Sequence, residues 1–270
     1  MSSEEYDTIF VLLVYRNTED LKNFFRDNLG ISGRNRFIVV NNYCDEKSRK
    51  EFIKICSEYD CDYLDSDNVG YGAGNDLGIA YAREHYTFRR LVVANPDTII
   101  ERLPDNMPDG DGRACIFGPQ IHTLSGKRQN PCMVFYSPLR ERLMKRFAQD
   151  PKNTLAFYVA IAINKIEREL FLLFCGGRTK KVYSLHGCFL IFSAQALEKI
   201  PEPFDKGMFL FREEDYLARL ATQNDVDMIY CPGMSVLHKE DGSVRYIEGN
   251  VKKHTADSLR RYFGLPPLGK

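Results

Sequence analysis

Three groups of residues in this 270-residue chain combine types and spacings suited to chemistry. The first is Asn95-Pro96-Asp97, which ends an apolar run at 91–94. A carboxylate at the end of a buried strand, beside a proline that cannot continue the ladder, is placed to ligate a hard cation and so reach a phosphate-bearing substrate. The plainer alternative is a turn in which Asp97 caps a helix. The second is Glu213-Glu214-Asp215, at the head of a predicted helix. The helix dipole favours acids there, so capping explains any one of them. Three in a row exceed that need, and crowding can raise one pKa toward a value that suits a general base. Successive helical residues diverge by about 100°, so one or two at most face a common substrate. The third is Asn68-Val69-Gly70-Tyr71-Gly72-Ala73-Gly74-Asn75, a glycine-rich loop whose backbone can lie close to a ligand.

The glycines do not spell a dinucleotide fingerprint. That motif follows the first strand directly and has its third glycine three residues after the second. Here the first strand ends in Tyr15-Arg16-Asn17 and the glycines come some fifty residues later. Among the histidines, His85 and His122 read as surface residues and His254 as a solvated helix residue. His186 is either a hydrogen-bonded core residue or a group near a substrate.

The elements that must position these residues follow from periodicity. Continuous apolar runs at 8–15, 37–40, 61–64 and 91–94 read as strands buried on both faces. Between them lie amphipathic helices. One covers 19–29, capped by Thr18, with Leu21, Phe24, Phe25 and Leu29 inward. Another runs from the cap Asp45 to about Tyr59, with Phe52, Ile53 and Cys56 inward, and a third covers 76–85. This β-α-β order implies right-handed crossovers and a parallel sheet. Further strands are expected at 113–118, 183–193, 226–230 and 235–238, with Cys231-Pro232-Gly233 as a turn and 119–132 as a loop or hairpin. Short helices are expected at 194–199 and after Glu213, and a basic terminal helix at 249–263 ahead of a loose Pro266-Pro267 tail. Residues 134–181 hold two helical patterns, a basic one at 139–147 and one at 154–174 whose apolar pieces are split by Asn164-Lys165-Ile166-Glu167-Arg168-Glu169. Neither piece reaches the ~20 residues of a membrane span, which leaves a lid, a dimer surface, or helices lying on anionic lipid.

Composition narrows the class. Lys+Arg and Asp+Glu number 37 each, so no global field points to nucleic acid. Eight scattered cysteines without C-x-x-C pairs predict reduced thiols in a cytosolic enzyme. The first residues lack a secretory pattern.

Taken in order, Asn68-x-Gly70-Tyr71-x-x-Gly74-Asn75-x-x-Gly78, Asn95-Pro96-Asp97-Thr98, His186-Gly187-Cys188-Phe189, Phe209-Leu210-Phe211-x-Glu213-Glu214-Asp215 and His238-x-x-x-x-Ser243 resemble a family 2 glycosyltransferase of the GT-A fold, in its rhamnosyltransferase-like branch. The resemblance covers about residues 7–245. It implies an α/β fold with a Rossmann-like, mostly parallel central sheet flanked by helices. A nucleotide-sugar-binding half (7–133), a helical insert (134–181), an acceptor and catalytic half (182–245) and a C-terminal helix and tail (246–270) would form one domain. It further implies an inverting transferase that uses a nucleoside-diphosphate sugar (UDP- or dTDP-linked) and a divalent cation, Mg²⁺ or Mn²⁺. By position, Asp97 and His238 would bind the metal. Tyr15, Arg16, Asn17, Asn41, Asp67, Asn68, Gly70, Tyr71, Asn75, Asn95 and His186 would meet the nucleotide sugar. Glu214 would be the base, with Asp215 and Glu213 in reserve. Many relatives have Asp-Asn at 41–42 where this chain has Asn41-Asn42; an amide oxygen still accepts from a base N–H. The implied acceptor is a cell-surface polysaccharide or polyprenyl-linked saccharide, met in the cytoplasm or on the inner face of the cell membrane, by a protein that can be oligomeric. A sugar-nucleotidyltransferase and a non-catalytic nucleotide-sugar-binding module are the competing readings.

Overall fold

The structure, a computed structural model, describes residues 5–28, 30–240 and 251–266. Leu29, Ser243, Pro267 and the first turn expected of the terminal helix (249–250) lie outside the described residues.

The first strand, β1 (Glu5–Val14), is followed by α1 (Thr18–Asp27), β2 (Asn35–Asn42), α2 (Glu46–Glu58), β3 (Asp62–Ser66), α3 (Tyr71–His85) and β4 (Thr87–Ala94). As the apolar runs require, β3-β2-β1-β4 pair in parallel, with Ile9, Phe10, Val11, Leu12, Val39 and Val92 wholly buried. Each such side chain contributes about 1.5–3 kcal/mol on full burial. Asp45 caps α2 by accepting from Ser48 N at 2.8 Å, and Leu21, Phe24 and Phe25 of α1 face the core. Asn17, not Thr18, holds the cap position of α1. On α2, Ile53 is exposed and Ile55 is buried in its place.

Beyond β4 the sheet changes direction. The remaining elements are β5 (Thr98–Arg102), β6 (Cys115–Thr123), α4 (Pro138–Gln149), α5 (Thr154–Cys175), β7 (Lys180–Lys181), β8 (Phe189–Ser193), α6 (Ala194–Lys199), α7 (Glu213–Gln223), β9 (Asp227–His238) and α8 (Val251–Tyr262). The strand order is β3-β2-β1-β4-β8-β6-β9-β5, with β7 on β9. Strand β8 runs antiparallel between β4 and β6, and β9 lies parallel to β6 but antiparallel to β5. The two strands expected at 226–230 and 235–238 are one: Pro232 and Gly233 sit in a bulge opposite Pro119 and Gln120, where a missing N–H costs no rung. Part of the expected loop at 119–132 is the end of β6. The strand expected at 183–193 joins the sheet only from Phe189; ahead of it Ser184 makes an isolated antiparallel bridge with Met133.

From Tyr71 on, the glycine-rich stretch is the start of α3 rather than a loop, and only Gly70, just ahead of it, has a positive φ, at +90°. The other glycines let the helix lie flat on its neighbours. A Cβ on Gly72 would sit 2.8 Å from Phe204 Cβ, one on Gly74 3.0 Å from Asn42 Oδ1, and one on Gly78 would collide with Val11. Close packing, not turn geometry, explains the spacing.

Candidate active site

The C-terminal ends of β1, β2 and β4, the segment entering β8 and the head of α7 enclose a cleft of about 780 Å³. The edge outside the carboxyl ends of parallel strands is where ligands bind in such sheets. Tyr15, Asn68, Gly70, Tyr71, Asn95, Asp97, His186, Glu214 and His238 all border it. Arg16, Asn17, Asn41, Asp67, Asn75 and Asp215 do not.

Asp97 and His238 meet because of register. Thr98 opens β5 opposite His238, the last residue of β9, and Lys239 N donates to Asp97 O at 3.0 Å. His238 Nε2 then lies 3.4 Å from Asp97 Oδ2, both side chains being largely buried. Behind the imidazole, Nδ1 is 2.9 Å from Gln129 Oε1, while Gln129 Nε2 donates to Glu240 Oε1 at 2.8 Å. The carboxylate orients the amide, the amide oxygen takes the Nδ1 proton, and the Nε2 lone pair is turned toward Asp97. Neither Gln129 nor Glu240 carries a signal in the sequence.

Among the described residues no three His, Cys, Asp or Glu side chains form a metal cage. The pair Asp97–His238 supplies two donors, one oxygen and one imidazole nitrogen. That set fits a divalent cation whose other positions are taken by phosphate oxygens and water.

Tyr71 joins the two sides of the cleft. Its hydroxyl lies 2.9 Å from Gly187 O and 3.2 Å from Asn95 Oδ1. Gly187 N in turn donates to Glu214 Oε1 at 3.3 Å. Gly70, at the head of α3, is fixed from both sides: Asn42 Nδ2 donates to its carbonyl at 3.1 Å, and Tyr71 N donates to Phe209 O at 2.9 Å. His186 Nδ1 accepts a hydrogen bond from Cys188 N at 3.2 Å, and burial, reinforced by His238, pushes its pKa down to about 3. It is a neutral hydrogen-bonding group, with the opposite tautomer to His238.

The three acids of α7 occupy three environments. Glu214 is partly exposed to the cleft. Glu213 is buried beside it, and burial together with the Glu214 charge holds its carboxyl well above the usual range. Asp215 turns to the far side of the helix and pairs with Arg212. Phe211 and Arg212, just before the helix, have φ of +70° and +74°. Strain of this kind in non-glycine residues is tolerated where a site must be held in place.

The remaining expected contacts lie off the cleft lining. Asn41 Nδ2 donates to Tyr63 OH (3.0 Å) and Asp65 Oδ1 (3.2 Å), which leaves its buried Oδ1 without a hydrogen-bond partner among the described residues. Arg16 Nε contacts Cys44 Sγ, Asn17 Nδ2 donates to Asp20, and Asn75 Nδ2 caps back to Tyr71 O. Asp67 is exposed. His254 is not simply solvated: its ring packs 5.7 Å from that of Phe209.

No protein-family model matches the chain. It is 25% identical over 240 residues to the low-salt glycan biosynthesis hexosyltransferase Agl10 of Haloferax volcanii, covering 87% of this chain and 67% of that protein. In fold it matches GalNAc-T7 solved with UDP, GalNAc and Mn²⁺ (TM-score 0.55, 8% identity, 95% of this chain and 47% of that one). It also matches TarS of S. aureus (TM-score 0.50, 9% identity, 86% and 36%). The chain thus spans less than half the length of these two solved structures.

Proposed function

We infer that this chain is a glycosyltransferase of GT-A architecture that moves a hexose from a nucleoside diphosphate to an acceptor hydroxyl with inversion. The observation that carries the reading is the convergence of Asp97, His238 and Glu214 on one cleft at the carboxyl edge of the parallel strands. The likeness to a hexosyltransferase supports the reaction class, and the likeness to a fold solved with UDP and Mn²⁺ supports the donor class and a divalent cation.

Asp97 Oδ and His238 Nε2 would hold the cation. When bound, it neutralises charge that builds on the departing diphosphate, an effect larger in the transition state than in the ground state. Glu214 accepts the proton of the acceptor hydroxyl as its oxygen attacks the anomeric carbon. The bond to the diphosphate breaks on the opposite face, and its electron pair leaves with the nucleotide. Base assistance of this kind supplies roughly 10²–10⁴-fold. The Asn41 amide, with its nitrogen engaged by Asp65 and Tyr63, keeps an unpartnered buried oxygen at the end of β2, next to cleft-lining Asn42, and would meet a base N–H from there. Uracil and thymine present such a donor at N3. The acceptor in this reading is a saccharide, free or lipid-linked, brought to the cleft at a membrane surface. Rhamnose is one candidate hexose.

Incubation with UDP- and dTDP-hexoses, Mn²⁺ and saccharide acceptors tests the proposal. Release of nucleoside diphosphate with a new glycosidic product is the expected result. Pyrophosphate formation, or saturable binding with no turnover of any donor, would overturn it.

A further inference from the structure

Helix α5 is apolar on both sides. Its protein-facing side buries Ala156, Ala160 and Leu172 and is anchored by Asn164, Glu167 and Arg168. Asn164 Nδ2 donates to Cys132 O at 3.0 Å, Glu167 pairs with Arg140 at 2.6 Å, and Arg168 donates to Arg128 O at 2.5 Å. The opposite side carries Leu155, Val159, Ala162, Ile166, Leu170 and Leu173, a stripe at 3–4-residue spacing along the helix. Leu155, Ile166 and Leu173 are 72%, 61% and 74% exposed, and no described residue covers them. An ordinary surface helix turns a polar face outward. A continuous outward apolar face of this length marks a contact surface.

We propose that this face of α5 seats the protein on an anionic lipid surface, with the helix lying in the interface plane. Charge selects this occupant. The chain as a whole is neutral, yet residues 134–181 hold ten Lys and Arg against four Asp and Glu. Exposed Arg142, Lys145 and Arg146 stand on the adjoining α4, Lys152 precedes α5, and Lys165 flanks the stripe. A second copy would bring like charges together across a twofold, whereas an anionic leaflet complements them. The helix is not itself long and apolar enough to cross a bilayer, so its place is along the surface. Phe157, on the inner side of the same helix, borders the cleft, so the contact sets the cleft beside the lipid. The proposal rests on the membrane side of the reading above, and its test reads lipid contact without reading turnover.

The experiment is flotation of the full chain with vesicles of phosphatidylcholine, alone or mixed with phosphatidylglycerol. Wild type should float with the mixed vesicles only and be released by high salt. The triple variant Leu155→Gln, Ile166→Gln, Leu173→Gln should bind roughly 100-fold more weakly. Ile53→Gln, an exposed apolar position on α2, should behave as wild type. Because all three stripe residues are exposed, circular dichroism should show the variant folded. No flotation of wild type, equal flotation on neutral vesicles, or a lipid-independent dimer abolished by the triple variant would each overturn the proposal. Loss of hexose transfer with flotation intact would instead fault the enzymatic reading alone.

Discussion

Gln129 Oε1 lies 2.9 Å from His238 Nδ1, across 109 residues of sequence, and Glu240 holds the same amide from behind. This relay keeps the Nε2 lone pair directed at Asp97. Replacing Gln129 by Ala should weaken Mn²⁺ binding in the presence of UDP by about 10-fold. Electron paramagnetic resonance of free Mn²⁺ measures that directly. An unchanged affinity would reduce Gln129 to a packing residue.

Asp97 is the single carboxylate of the proposed cation site. Asp97→Ala, and chelation of the wild-type protein, should each abolish transfer, with Mn²⁺ restoring only the chelated sample. Full turnover in chelator would require a mechanism without metal.

Glu213 and Glu214 both line the cleft, but only Glu214 is partly exposed there, Glu213 being buried and Asp215 paired with Arg212. Glu214→Gln should cut kcat by about 10²–10⁴-fold and leave UDP affinity within about threefold. Asp215→Asn, by contrast, should act mainly on stability, because it breaks the pair with Arg212. Wild-type turnover in Glu214→Gln would remove it as the base.

Gly78 lets α3 rest on β1. In Gly78→Ala the new methyl meets Val11, and overpacking of this kind costs about 1–3 kcal/mol, against roughly 1 kcal/mol gained in helix propensity. Urea unfolding should therefore show a net loss of stability. A stabilised variant would mean that α3 has room to move away from the sheet.

Asp76 is buried on α3, and burial raises its pKa to about 8, offset in part by the Phe204 backbone. Its folded pKa lies above the unfolded value of 3.8, so the folded state holds a proton that the unfolded state gives up as pH rises. This stabilising effect is complete below about pH 4 and is lost progressively toward pH 8. Asp76→Asn should match wild type near pH 4 and exceed it by a few kcal/mol near pH 8. Parallel stability curves for the two proteins would show that the carboxyl finds solvent.

Much of the first half was legible because buried parallel strands write themselves as unbroken apolar runs. β1, β2 and β4 and the Asp45 cap of α2 follow from local residue types. So does the placing of Asp97 at a strand end and of three acids at the head of α7. Three local misreadings have local causes. Gly72, Gly74 and Gly78 look like loop formers, since sequence does not show the sheet against which they pack. Pro232-Gly233 looks like a turn, since a bulge and a turn use the same residues. Thr98–Arg102 offers only Ile99-Ile100 as an apolar signal, too short to announce an edge strand.

The sequence by itself determined the elements, the candidate acids and their likeness to a sugar-transferring fold. Tertiary structure alone decided which of them meet. The antiparallel pairing of β5 with β9 sets Asp97 beside His238, and Gln129 reaches that histidine from a distant loop. Which of three consecutive carboxylates reach the cleft, and which of those is partly exposed, depends on the rotation of α7 and on the left-handed backbone at Phe211 and Arg212. Which face of α5 looks outward was equally hidden, because apolar residues lie on both sides of it until Asn164, Glu167 and Arg168 are seen bonded to Cys132, Arg140 and Arg128. Spacing along a chain encodes the period of an element, whereas register and rotation between elements are set by long-range pairing.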